Sequence, residues 1–130
     1  MRWTPLAVAR PDDTAEVAAL LRLANRYHLP VVPVSGNTNL VKGTAAEGAL
    51  MLSLDRLSEI GEVRPDAQVV TVGAGVVIET LNAALAAHDL MFPLSFGARG
   101  SAMVGGVLST NAGGAGVLRY GSTRDLCLGL

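Results

Sequence analysis

Two glycine-rich segments contain the residues of this chain best suited to holding a ligand. The first, 33–39, reads PVSGNTN, and the second, 97–106, reads GARGSAMVGG and leads into NAGG at 111–114. Glycine and asparagine accept a positive φ, so successive peptide N–H groups can turn toward one point and hold phosphate oxygens without a charged side chain. Two such segments predict one large anionic ligand, and a dinucleotide held by main-chain amides would fit.

A purely structural explanation of the same glycines is that they mark turns. The chain has 15 glycines, and most of them lie beyond position 72. Ordinary turns rarely need that density, and the first segment follows a short apolar run, where α/β proteins place their ligands. On spacing and composition alone, phosphate binding and simple turns both remain open.

Size and charge exclude several classes of protein. The chain has 130 residues, of which 50% are hydrophobic and 16% charged, and its net charge is −1. It can form one domain with a real core, and neither disorder nor a basic nucleic-acid-binding surface is indicated. The single Cys127 cannot form an internal disulfide and residues 1–5 lack the apolar core of a signal peptide, which predicts a cytoplasmic protein. No apolar run reaches the roughly 20 residues that span a bilayer.

Helices alternate with strands along the chain. Apolar residues at three- and four-residue spacing predict an amphipathic helix over about 14–28 and a second over 77–88. The predicted strands are 31–34, 49–54, 60–63 and 68–72, the last two forming an antiparallel hairpin around 65–67. Residues 125–130 read as the start of a buried strand, so we expect a truncated protein. The predicted fold class is α/β or α+β.

A third glycine motif resembles a Rossmann fingerprint. Gly73 and Gly75 follow a predicted strand and precede a helix, but Ile78 occupies the third glycine position. The acidic residue expected about 20 residues later is also missing, because 90–124 contains no Asp or Glu. A turn between strand and helix explains this pair better.

Several motifs together resemble a known family. The stretches VPVSGNTNLV at 32–41, GVLSTNAGG at 106–114 and RYG at 119–121 are similar to the FAD-binding domain of the vanillyl-alcohol-oxidase superfamily. The GNT tripeptide and the FPL at 92–94 are most similar to the group of D-2-hydroxyglutarate dehydrogenase, D-lactate dehydrogenase and the glycolate oxidase flavoprotein subunit. The resemblance implies a PCMH-type fold, with a small parallel βαβ subdomain over 1–64 and, over 65–130, the start of a mixed or antiparallel sheet with flanking helices. It also implies that the substrate domain, with the catalytic and metal-binding residues of relatives, follows Leu130.

The resemblance assigns cofactor contacts to both segments. The first would wrap the FAD pyrophosphate with main-chain amides, and the second would follow the ribityl chain and flavin ring. The residues so assigned are Pro33, Val34, Ser35, Gly36, Asn37, Thr38 and Asn39 in the first segment and Pro93, Arg99, Gly100, Ser101, Met103, Gly105, Gly106, Ser109, Asn111, Gly113, Gly114 and Tyr120 in the second.

Some positions depart from the family pattern. Relatives commonly have glycine where this chain has Ser35, Asn39 and Lys42, and often threonine at Met103. If φ is positive at Ser35 and Lys42, each costs of order 1 kcal/mol of strain. We expect rearranged phosphate contacts with binding retained.

The implied activity is oxidation of a D-2-hydroxy acid by hydride transfer to FAD. Its partners would be the small-molecule substrate, an electron acceptor that the sequence does not identify, and a second copy or other subunits. Two alternatives remain open: a related flavoenzyme that acts on another alcohol or an alkene, and a remnant that has no turnover. No catalytic residue and no metal site are predicted, because His28 and His88 stand at helix ends and Cys127 in an apolar run. Arg99, Arg119 and Arg124 could either contact the cofactor or cap loops.

Overall fold

A small parallel sheet forms the first half of the fold. In the computed structural model, which describes residues 4–38 and 41–130, its strands are β1 (Ala7–Ala9), β2 (Val31–Val34) and β3 (Leu50–Ser53), in the order β1-β3-β2. Leu50 pairs with Ala7 on one side and with Val31 on the other. Because the strands are parallel, their carboxyl ends meet at one edge of the sheet, and the first glycine-rich segment leaves the sheet there.

Helix α1 (Thr14–Arg26) connects β1 to β2. It begins at Asp13, whose side chain accepts a hydrogen bond from the Glu16 amide at 2.8 Å, while the Glu16 carboxylate accepts one from the Asp12 amide at 2.8 Å. This reciprocal capping satisfies one amide of the first turn and one just before the cap residue. The helix ends earlier than predicted because His28 takes a left-handed φ of +52°.

The predicted strands are confirmed in part. Strand β2 has the expected bounds and β3 is one residue shorter at each end, but β1 was not predicted. The hairpin is present only as isolated antiparallel bridges, Ile60 with Val72 and Arg64 with Val69. The first arm has one residue more between the bridges than the second, and such a bulge interrupts a regular ladder.

Helix α2 (Ile78–Ala86) covers the hairpin with its apolar face. Val76, Leu81 and Leu85 are buried against hairpin side chains that include Ile60 and Val72. The predicted end at His88 is too late, because 87–89 form a turn that finishes at a left-handed Asp89. Ile78, at the third position of the Rossmann-like motif, is fully buried.

Three short helical segments follow. They are α3 (Val104–Ser109), α4 (Val117–Tyr120) and a 3-10 turn at Arg124–Leu126. The predicted strand at 125–130 is wrong, since Leu128 is 82% exposed. The Asp125 carboxylate accepts hydrogen bonds from the Ser122 hydroxyl at 2.6 Å and from its amide at 2.7 Å, which favours a turn and lowers the pKa of Asp125. Among the described residues, no helix is both long enough and apolar enough to cross a membrane.

Candidate functional site

The two glycine-rich segments contact each other. A β-carbon on Gly36 would overlap the carbonyl oxygen of Ser101 and lie 3.1 Å from the Ala102 Cα. A β-carbon on Gly105 would lie 3.3 Å from the Ser35 Oγ, and one on Gly106 would lie 3.4 Å from the Ser35 Cβ. Segments far apart in sequence therefore form one surface at the carboxyl edge of the sheet.

The glycines at this contact permit close approach of two backbones. We expected them to supply positive φ angles, and that expectation is wrong, because neither Gly36 nor Gly105 is among the left-handed residues. The left-handed positions are instead Asn37 (φ +48°), Lys42 (+55°) and Asn111 (+51°). Asparagine tolerates this conformation, so two of the three follow the sequence argument.

We expected backbone strain at Ser35 and Lys42, where relatives commonly have glycine, and it is present at one of these two positions. Lys42 is left-handed and carries a cost of order 1 kcal/mol. Ser35 is not left-handed, so it carries no strain of this kind. Its side chain instead fills the space beside Gly105 and Gly106.

Main-chain donors are left free on both segments. Within residues 4–38 and 41–130, several amides of the two segments donate no hydrogen bond to the protein. These are the amides of Ser35, Gly36, Asn37 and Thr38 in the first segment and of Gly97, Ala98, Arg99, Gly100, Met103 and Gly106 in the second. Free main-chain N–H groups suit a diphosphate, which they can neutralise without lysine or arginine.

The second segment is fixed by the core behind it. The Val104 amide donates to the Val76 carbonyl at 2.9 Å, and the Gly105 amide donates to the Ala74 carbonyl at 2.8 Å. Ala102 and Val107 are buried in a cluster with Ile78 and Leu94. The turn at Gly73 and Gly75 thus holds this segment in place, which agrees with the structural explanation of the Rossmann-like motif.

Several predicted site residues use their polar groups within the fold. The Ser109 hydroxyl donates to the Gly105 carbonyl at 2.7 Å, and the Asn111 side chain accepts from the Arg124 amide at 3.0 Å. The Arg124 guanidinium donates to the Leu108 carbonyl at 3.1 Å and the Ser109 carbonyl at 2.7 Å. Arg124 therefore caps the last turn of α3, one of the two roles that the sequence left open.

The other predicted residues lie around the contact or apart from it. Tyr120 packs against Gly116 and under the Arg119 guanidinium, whose carbon lies 5.1 Å from the ring centroid. Gly114 approaches the Ser95 main chain so closely that a β-carbon would overlap the Ser95 carbonyl oxygen. Pro33 and Val34 end β2, Pro93 and Gly113 belong to the connections around α3 and α4, Arg99 is exposed, and Asn39 lies outside the described residues.

Sequence reasoning missed Thr44. Its hydroxyl donates to the Asn37 Oδ1 at 2.8 Å, which ties the first segment to the connection that follows it. Its only signal in the sequence is a hydroxyl residue shortly after a glycine-rich run.

Charged residues join β1 to β3 at the same edge of the sheet. The Arg10 guanidinium pairs with the Asp55 carboxylate, which also accepts from the Ser53 hydroxyl at 2.7 Å. These hydrogen bonds, that of Arg10 first, lower the pKa of Asp55 to about 2. Arg56 pairs with Asp12 at 2.9 Å. In the part of the chain that the structure describes, no group of three or more His, Cys, Asp or Glu side chains could hold a metal ion.

A surface of free main-chain amides, made by two glycine-rich segments at the edge of a parallel sheet, is characteristic of domains that bind a phosphate-bearing nucleotide cofactor. Comparison with protein families makes this specific. The chain belongs to the FAD binding domain family, whose model matches residues 5–130. FAD is therefore the cofactor of this domain.

Curated relatives include hydroxy-acid dehydrogenases. The chain is 44% identical over 132 residues to the D-2-hydroxyglutarate dehydrogenase of Xanthomonas citri pv. viticola, covering 99% of this chain and 28% of that protein. It is 40% identical over 124 residues to the D-lactate dehydrogenase of Archaeoglobus fulgidus, covering 95% of this chain and 28% of that protein. The chain thus spans little more than a quarter of the length of these relatives.

Solved structures have the same fold. One is alkyldihydroxyacetonephosphate synthase, with a TM-score of 0.83 at 20% identity over 93% of this chain and 23% of that one. Another is 6-hydroxy-D-nicotine oxidase from Arthrobacter nicotinovorans, with a TM-score of 0.80 at 24% identity over 95% of this chain and 27% of that one. These similarities confirm the expected PCMH-type fold.

Proposed function

We propose that this chain is the FAD-binding part of a flavin-dependent dehydrogenase that oxidises a D-2-hydroxy acid. The observation that carries the proposal is the contact of Gly36 with Ser101, with free amides on either side of it. The relatives named as D-2-hydroxyglutarate and D-lactate dehydrogenases support the substrate class.

In this proposal each segment has its own task. The free amides at 35–38 bind the diphosphate, and Ser35 beside Gly105 sets the spacing between the two segments. The small residues of the second segment, from Gly100 to Gly106 and on to Gly113 and Gly114, allow a flat ring system to approach the main chain. When bound, FAD supplies the two-electron acceptor for oxidation of the hydroxyl carbon.

The chain itself binds and orients, while the substrate contacts come from elsewhere. We propose that a longer protein adds a substrate domain to the subdomains at 1–64 and 65–130, in keeping with the greater length of the relatives. Within this group, a glycolate oxidase flavoprotein subunit and assembly with a second copy or other subunits are the finer proposals. Electrons would then pass to an acceptor that the chain does not identify.

We also propose a cytoplasmic location. A single Cys127 suits a reducing compartment. Some relatives, such as the D-2-hydroxyglutarate dehydrogenase of Danio rerio, are named as mitochondrial, so the test is fractionation of cells that express the complete protein. Recovery in an organelle fraction would contradict the proposal.

Cofactor binding is tested by titrating the purified chain with FAD and following the quenching of flavin fluorescence. Saturable binding is expected, and ADP should compete because it shares the diphosphate. Chain that is folded by circular dichroism and binds neither molecule would overturn the proposal.

The substrate class is tested on the complete protein. Anaerobic addition of D-2-hydroxyglutarate, D-lactate or glycolate should bleach the flavin absorbance, whereas the L enantiomers of the two chiral acids should not. Bleaching by a sugar lactone or another alcohol alone would assign a different enzyme of the same fold.

A further inference from the structure

Thr44 and Asn37 form a hydrogen bond across the first segment. The Thr44 hydroxyl donates to the Asn37 Oδ1 at 2.8 Å. Asn37 is exposed and left-handed, whereas Thr44 is half-buried. The less exposed residue therefore fixes the side chain of the more exposed one.

This bond determines which end of the carboxamide, the oxygen or the NH2 group, is free to bind a ligand. A carboxamide is planar and has its oxygen and its NH2 group on opposite sides of the side-chain axis. Because Thr44 occupies the oxygen, the Nδ2 group faces away from Thr44. Within the described residues Nδ2 donates no hydrogen bond to the protein, so its two N–H groups are free beside the free amides of 35–38.

We propose that Thr44 is a positioning residue for cofactor binding, which holds the Asn37 carboxamide so that Nδ2 donates to a phosphate oxygen. The inference rests on the proposed FAD site. Without the hydroxyl, the carboxamide can rotate by half a turn and present its oxygen to the phosphate, which repels it. Thr44 thus adds a side-chain donor to a site otherwise made of main chain, without contacting the ligand.

The test compares Thr44→Val, which keeps the shape and loses the donor, with Thr44→Ser, which keeps the donor. The matched control is Thr71→Val at an exposed threonine of the hairpin whose hydroxyl makes no hydrogen bond among the described residues. We expect Thr44→Val to raise the Kd for FAD and for ADP about five- to tenfold, the value of one hydrogen bond. The Kd values of Thr44→Ser should stay within about twofold of those of wild type, and the Kd values of Thr71→Val should equal those of wild type.

A double-mutant cycle separates positioning from direct contact. Asn37→Ala should weaken FAD binding by itself, and Thr44→Val should then add nothing, because the group it orients is gone. An equal further loss in the Asn37→Ala background would overturn the inference, since Thr44 would then act on the ligand or on the fold directly. Unchanged FAD affinity of Thr44→Val in wild-type background would overturn it as well.

A ligand-free measurement distinguishes this inference from the proposed function. In 15N NMR spectra, Thr44→Val should shift the Asn37 side-chain NH2 resonances and Thr71→Val should not. If Thr44→Val shifts these resonances but the wild-type chain binds neither FAD nor ADP, the proposed function fails. The proposed donation by Asn37 Nδ2 to a phosphate oxygen then fails as well. If it binds both and Thr44→Val does not shift the resonances, only the positioning inference fails.

Discussion

The Cα of Gly36 faces the carbonyl group of Ser101 with no room between them for a side chain. Gly36 belongs to the connection after β2, whereas Ser101 lies just before α3. A main-chain contact of this kind cannot adjust by changing a rotamer, so it fixes the separation of the two segments that carry the free amides.

Replacing Gly36 by alanine should therefore damage both folding and cofactor binding. The added β-carbon overlaps the Ser101 carbonyl oxygen, and relief requires the backbones to separate. We expect the free energy of unfolding to fall by about 1–3 kcal/mol, as in overpacked cores. We also expect the Kd for FAD to rise at least about tenfold, which corresponds to about 1.4 kcal/mol. Urea unfolding and FAD titration measure the two effects.

Gly97→Ala is the matched control. Gly97 lies in the second segment, and a β-carbon there would meet nothing within 4 Å. It should leave FAD affinity and unfolding close to wild type. Equal behaviour of the two variants would mean that the Gly36 contact does not fix the site.

Arg124 should stabilise the end of α3. Its side chain donates to the carbonyls of Leu108 and Ser109, and its amide donates to Asn111. Arg124→Ala removes the two side-chain bonds and should lower the free energy of unfolding by about 1–2 kcal/mol. Arg22→Ala on the exposed part of α1 is the control and should change it by less than about 0.5 kcal/mol. A loss of FAD affinity with unchanged stability would instead make Arg124 a ligand of the cofactor.

The sequence predicted the elements that have strong local patterns. Helix α1 has a cap at Asp13 and repeated apolar spacing, and β2 is a continuous apolar run. Strand β1 was missed because Ala7–Ala9 is three residues long and mostly exposed, so it has neither burial nor alternation to indicate it. Its pairing with β3 depends on residues far away in sequence.

Helix α3 could not be predicted from the sequence for a different reason. It contains Gly105 and Gly106, and glycine is among the poorest helix formers, so local propensity gives no reason to expect a helix. Tertiary contacts supply the stability, through the Gly105 amide on the Ala74 carbonyl and the Arg124 side chain at the last turn.

For the candidate site, glycine clustering indicated two segments that the structure brings into contact, but not what the glycines do there. Close approach, as at Gly36, depends on which residue lies opposite, and a single sequence does not contain that information. The hydrogen bond from Thr44 to Asn37 could not be predicted from the sequence for the same reason. The residues assigned to the cofactor remain predictions.

Acid should weaken the link between β1 and β3. The pKa of Asp55 is lowered to about 2 by the hydrogen bond from Arg10 and then by that from Ser53, against about 3.9 in an unfolded chain. The unfolded state therefore binds more protons between these values, and stability falls as the pH falls through them. The stabilisation by Asp55 should be complete above about pH 5 and should be lost progressively between about pH 5 and pH 1.

Urea unfolding at a series of pH values tests this. The difference in unfolding free energy between wild type and Asp55→Asn should be constant from pH 7 to about pH 5 and then shrink. With Arg10→Met in both proteins, the difference should be smaller and should vary less with pH. A difference that grows on acidification would contradict the ion pair.

The hairpin turn offers a stabilising substitution at Gln68. This exposed residue ends the turn that begins at Pro65, donates its amide to the Pro65 carbonyl at 3.1 Å, and has a φ of +55°. Glycine at this position relieves a left-handed strain of about 1–2 kcal/mol but loses more chain entropy on folding, about 0.5–1 kcal/mol. Gln68→Gly should therefore raise the free energy of unfolding by about 0.5–1 kcal/mol. Ala67→Gly, one residue earlier at a position that is not left-handed, should lower it by a similar amount. In urea unfolding, the two variants should change the free energy of unfolding in opposite directions if the left-handed angle of Gln68 is the cause. Destabilisation by both substitutions would show that Gln68 is not strained.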